Sequence, residues 1–119
     1  MSCLFNSLSY FIPESSNNIR QKICDYISQN KPLIKGIETK DIIKYEEKNY
    51  IEKMRNTNTW GGAIEIQAAC NIWKCKINVR NKRGRKNQHS NIEFIPTSTI
   101  IANTFELEWT GGHYEPVRK

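Results

Sequence analysis

At 119 residues, with 38% hydrophobic and 25% charged positions, the chain is long enough to bury one core and too apolar for wholesale disorder. No run reaches ~18 uncharged apolar residues, so no membrane span is expected, and residues 4–12, without a basic lead and broken by Asn6, Ser7 and Ser9, do not read as a signal peptide. The net charge of +6 raises nucleic-acid binding as a function class, although Ile, Asn and Lys, the commonest residues, all have A/T-rich codons, so part of the lysine content follows from codon bias.

In chain order, residues 3–11 read as a short helix that ends before Pro13. Ser15 and Ser16 offer caps for a second helix whose buried face runs through Ile19, Ile23, Cys24, Tyr26 and Ile27 and fades at Asn30-Lys31-Pro32. Thr39 is a candidate cap for a helix over 40–48, and a further helix is expected over 49–55, followed by a polar loop at 56–59. Trp60-Gly61-Gly62 leads into 63–74, where apolar residues cover nearly the whole circumference. Such a helix is a central one, buried between layers. Gly62 can cap it, and Glu65 can reach back to the free backbone N–H groups. Residues 76–79 and 91–95 read as strands of a long hairpin, with the basic loop Arg80 to Lys86 between them and Gly84 at its tip. Ile100-Ile101-Ala102 can begin a further strand or a turn. Over 105–110, Phe105, Leu107 and Trp109 alternate with Glu106, Glu108 and Thr110, as in a half-buried strand. Helices first, then strands around a buried helix, predict an α+β domain, single over 1–119.

Four cysteines occur: Cys3, Cys24, Cys70 and Cys75. Without an export signal they are expected as free thiols in the cytoplasm, not as the disulfides of a secreted protein. Cys70 and Cys75 lack Cys-x-x-Cys spacing, so no metal is expected, and Cys24 and Cys70 read as small core residues. Cys3 is different, because it opens Cys3-Leu4-Phe5-Asn6-Ser7-Leu8 at a helix start. At the far end, His113 sits in Gly111-Gly112-His113-Tyr114-Glu115. A thiol and an imidazole are the two halves of a thiolate–imidazolium pair, provided that the fold joins the ends. Positions i and i+2 share one face of a strand, so Glu115 can accept the ring N–H, and Pro116 favours the extended backbone this needs. The bland alternatives are a packed Cys3, a surface His113 and a solvated Glu115. The basic loop reads as a solvated hairpin tip or an electrostatic contact, without the aromatic residues that base stacking needs.

Three segments, in this order, resemble the ovarian tumour (OTU) family of cysteine proteases, most of which are deubiquitinating enzymes. Cys3-Leu4-Phe5-Asn6-Ser7-Leu8-Ser9 is similar to the family's nucleophile segment. Tyr50-Ile51-Glu52-Lys53-Met54-Arg55, followed by Thr59-Trp60-Gly61-Gly62-Ala63-Ile64-Glu65-Ile66-Gln67-Ala68, resembles its Trp-Gly-Gly-x-x-Glu-(Leu/Ile)-x-Ala helix. Gly111-Gly112-His113-Tyr114-Glu115 is similar to its histidine motif.

The resemblance implies a papain-like OTU fold, with a small mixed β-sheet packed between helices and a buried central helix. It implies Cys3 as nucleophile, His113 as general base and acid, and Glu115 as the residue orienting the ring, where Asp or Asn is more usual. The backbone amides of Ser2 and Cys3 would serve the oxyanion, and Trp60, Gly112 and Tyr114 would line the substrate channel. Trp60 is expected to stack under the Gly61-Gly62 turn, and Gly111 and Gly112 to take positive φ. No cofactor or metal is implied. The implied partner is ubiquitin or a ubiquitin-like protein, cleaved by a monomer at the isopeptide bond after the Gly-Gly tail. Glu46, Glu47 and Glu52 either receive that basic tail or form a solvated helix face. Small members with A/T-rich coding point to a viral or microbial source. One departure bears on activity: the family carries Asp-Gly-x before the Cys, whereas Met1 and Ser2 stand here, as in a member shortened at its N-terminus. Loss of one oxyanion donor costs about 100- to 1000-fold in rate. An OTU-fold module that binds ubiquitin without cleaving it therefore stays open, as does a basic nucleic-acid binder.

Overall fold

Leu4, Phe5 and Leu8 share one face of helix α1 (Cys3–Phe11) and are fully buried, so the apolar spacing alone accounts for this element. The computed structural model describes residues 3–81, 91–111 and 113–117; Ser2, Gly112 and the tip of the basic loop, with Gly84, lie outside them. Helix α2 (Ser16–Ser28) is capped by Ser15, whose Oγ accepts from the Asn18 N–H at 3.2 Å. It buries Ile19, Ile23, Cys24 and Ile27, the predicted face.

Helix α3 (Thr39–Ile43) is shorter than the 40–48 expected, and Thr39 begins it instead of capping it. The Thr39 hydroxyl is engaged with the preceding loop: it accepts from the Leu33 N–H at 3.2 Å and donates to the Lys31 carbonyl. Beyond Ile43 the run Glu46-Glu47-Lys48-Asn49 has no apolar face to bury, and Asn49, at φ 63°, starts helix α4 (Tyr50–Arg55) afresh.

Helix α5 (Ala63–Trp73) follows Gly62, and Glu65 Oε1 accepts from the Gly62 N–H at 2.7 Å, as the capping pattern predicts. Lys74, in the left-handed region at φ 51°, turns the chain into β1 (Cys75–Asn81). Strand β2 (Asn91–Phe94) returns antiparallel, completing the expected hairpin pairing. Ile100-Ile101-Ala102 precede the next strand, β3 (Asn103–Trp109), which pairs parallel to β1. β4 (Tyr114–Pro116) closes the order β2-β1-β3-β4, pairing antiparallel to β3.

The sheet's inner face carries Cys75, Ile77, Val79 and Leu107, all buried, with Ile77 opposite Phe105 and Val79 opposite Leu107. Phe11 of α1 stacks on Phe105, ring centroids 4.7 Å apart. Its other face is polar, with Arg80–Glu106 at 2.7 Å and Lys76–Glu93 at 3.1 Å. Along β1 and β3 apolar residues alternate with charged or polar ones, so one face of the mixed sheet packs into the core. The central element is α5, packed between the sheet and α2. No helix among the described residues is long and apolar enough to cross a membrane.

Candidate active site

Cys3 is the first residue of α1, so the free N–H groups of a nine-residue helix surround its backbone. It is the only one of the four cysteines that is not buried, and all four are free thiols. Burial pushes the Cys24 thiol up to about 11. Cys70 is raised by its hydrogen bond with Cys75 and by burial, and Cys75 is lowered by the same bond. A thiol kept protonated in an apolar core is a poor nucleophile.

Two close approaches fix the helix that carries Cys3. Gly61 lies directly over it: a Cβ there would stand 2.6 Å from Leu4 Cδ2 and 3.0 Å from Phe5 Cζ. Leu4 and Phe5 thus fill the space against Gly61, and Trp60 beside it is 53% exposed. On the other side, the fully buried Arg20 places its guanidinium carbon 4.1 Å from the Phe5 ring centroid and donates to the Met54 carbonyl at 2.7 Å. Burial lowers the Arg20 pKa, with Cys24 and Glu65 opposing.

The chain's two ends meet across α1 and β4. The buried Ser7 hydroxyl lies 2.7 Å from the Cys3 carbonyl and 3.0 Å from the Tyr114 carbonyl, one residue beyond His113. His113 is held from behind by the Thr110 N–H, which donates to its carbonyl at 3.0 Å, and Gly111 between them takes φ 98°, the positive value expected. The ring's Nε2 lies 3.2 Å from Glu115 Oε1, with both side chains more than half exposed. The geometry therefore brings His113 and Glu115 together, as i and i+2 positions predict. The Tyr114 hydroxyl is pushed up, chiefly by burial, and its ring borders an apolar groove shared with Ala63, Ile66, Val79, Phe94 and Trp109.

A buried carboxylate supports this arrangement from below. Glu65 is fully buried, accepting from the Tyr50 hydroxyl at 2.6 Å as well as from Gly62. Burial raises its pKa, and Tyr50 is raised by burial and by Glu65. Sequence reasoning found Glu65 as a cap but missed its burial and the Tyr50 bond. It also missed Arg20 and Ser7. The available signal was a polar residue on an otherwise apolar helix face, which needs a partner once buried. Glu46, Glu47 and Glu52 are exposed, and Glu47 pairs with Lys53 at 3.0 Å. Among the described residues, no group of three or more His, Cys, Asp or Glu side chains could hold a metal ion.

A model of the OTU-like cysteine protease family matches residues 2–114. This chain belongs to that family. It is 24% identical over 124 residues to the ubiquitin thioesterase OTU1 of Rattus norvegicus, a match covering 99% of this chain and 34% of the rat protein. The chain thus spans about a third of that relative's length. Among solved OTU structures, the OTU domain of OTUD1 superposes with a TM-score of 0.74 at 16% identity, covering 99% of this chain and 79% of that one. An OTU deubiquitinase from Wolbachia pipientis wMel, bound to ubiquitin, gives 0.67 at 17% identity, with 99% and 90% covered. These two likenesses establish the OTU fold, with its mixed sheet and helices.

Proposed function

We propose that this chain is a thiol-dependent deubiquitinase that hydrolyses the isopeptide bond after the C-terminal Gly-Gly of ubiquitin or a ubiquitin-like protein. It would act as a single monomeric domain in the cytoplasm. The observation that carries the reading is the end-to-end contact: in an OTU-family chain, the helix opened by Cys3 is bonded through Ser7 to the strand that follows His113. The rat relative is named as a ubiquitin thioesterase, and the Wolbachia relative was solved with ubiquitin bound, which supports the choice of substrate.

Glu115 faces Nε2 of the imidazole, so Nδ1 is the nitrogen left to take the thiol proton. The Cys3 sulfur attacks the glycine carbonyl carbon, and the oxyanion forms beside the helix start, where the Ser2 and Cys3 amides would meet it. The imidazolium returns its proton to the departing lysine amine, leaving a thioester. His113 then takes a proton from water, which attacks the thioester and frees the Cys3 thiol. Trp60, Gly112 and Tyr114 would flank the narrow tail of the substrate.

The test is an electrophilic ubiquitin-tail probe. Labelling of the native chain, lost in Cys3→Ala and in His113→Ala, is the expected result. Tight ubiquitin binding without labelling would instead make the protein a binding module. Steeply salt-dependent binding to unrelated DNA or RNA, with no effect of ubiquitin, would favour the nucleic-acid reading.

A further inference from the structure

We infer that the Ser7 hydroxyl is a positioning group that latches the nucleophile's helix to the strand carrying the histidine motif; this rests on the reading of Cys3 and His113 as the reacting pair. The argument begins with the hydrogen-bond alternation of β3 and β4. The Thr110 N–H donates to the His113 carbonyl at 3.0 Å, and the Val117 N–H to the Glu106 carbonyl at 2.9 Å. Bonded pairs in an antiparallel ladder alternate with non-bonded ones. Tyr114, opposite Trp109, and Pro116, opposite Leu107, are therefore the non-bonded members, and their backbone groups point off the edge of the sheet. Proline at such a place gives up no ladder bond. The Tyr114 carbonyl does need a donor, and β4 is the last strand in the order.

The donor comes from α1. Ser7 sits one turn after Cys3, is 2% exposed, and places Oγ within bonding distance of both the Cys3 and Tyr114 carbonyls. A helical serine bonding back to the carbonyl four residues earlier is ordinary local behaviour. The contact to Tyr114, 107 residues away, is not local. The single hydroxyl proton is thus shared between the carbonyl of the nucleophile residue and that of the residue after the histidine, at 2.7 and 3.0 Å.

Misplacing reacting groups by about 1 Å costs roughly 100-fold in rate. The buried Leu4, Phe5 and Leu8 still hold α1 without the latch, so the loss expected here is smaller, about 10-fold. The experiment compares Ser7→Ala, Ser7→Thr and the native chain on ubiquitin bearing a fluorogenic C-terminal amide. Ser7→Ala is expected to lower kcat about 10-fold with KM unchanged, and Ser7→Thr, which keeps the hydroxyl, to recover most of it. Native kcat in Ser7→Ala, or a change confined to KM, overturns the inference. Amide exchange supplies a second readout independent of turnover: β4 should exchange faster in Ser7→Ala while β1 does not change. Unaltered β4 exchange overturns the latch even in a chain that turns nothing over. Full activity of Cys3→Ala would overturn the assignment of the reacting pair and not the latch.

Discussion

Glu65 shows how a single buried side chain ties the glycine turn to the rest of the core. Its two oxygens accept from Gly62 and Tyr50, yet burial still raises its pKa above the ordinary glutamate range, near ~4.3. A carboxyl raised in this way favours the fold below that range and loses its contribution as pH rises through the higher folded value. Glu65→Gln does not ionise. Melting temperatures of the two proteins compared across acidic to neutral pH should therefore show the variant gaining relative to the native chain as pH rises. A constant gap would mean that Glu65 does not titrate differently on folding. Gly61 presents a steric case, not a conformational one: its missing Cβ would strike Leu4 and Phe5, both fully buried. Gly61→Ala should cost about 1–3 kcal/mol in urea denaturation and weaken probe labelling with it, since the displaced residues adjoin Cys3. Glu115 lies at the opposite extreme, in solvent. Removing the buried aspartate of a catalytic triad costs about 10,000-fold, but an exposed, screened pair does much less. Glu115→Ala should lower kcat about 10- to 100-fold while leaving the melting temperature alone.

Among the elements, α1, α2 and α5 were legible because each carries an apolar face and its own boundary signal: Pro13 after the first, Ser15 before the second, and Gly62 with Glu65 before the third. Helix α3 was not, because its end depends on a tertiary bond from Thr39 to the preceding loop, which no local pattern encodes. The core-facing side of β1 was legible too, in the alternation of Lys76, Asn78 and Arg80 with Ile77 and Val79. Of the candidate site, Cys3, His113 and Glu115 could be read from residue type and position. Ser7 and Arg20 stood out in sequence only as polar residues on apolar helix faces; their partners, 107 and 34 residues away, could not be read locally. The burial of Cys24 on α2, Cys70 on α5 and Cys75 on β1 also sorts the thiols. Iodoacetamide at neutral pH should modify Cys3 and leave Cys24, Cys70 and Cys75 intact until the protein unfolds, as peptide mass spectrometry will show.

At the scale of the molecule, the central pairing is the parallel one between β1 and β3, which the chain reaches only after completing β2 and crossing through 95–102. The edge strand β4 is added last and contacts the first helix. The contact between chain ends, which the proposed chemistry needs, is thus the most distant in sequence of those that build the site.

That ordering has a consequence during synthesis. A ribosome makes α1 about a hundred residues before β4, so over that stretch a nascent chain carries Cys3 without His113. On the proposed reading, the Cys3 thiol is without its general base until β4 and the residue before it have left the exit tunnel and docked against α1.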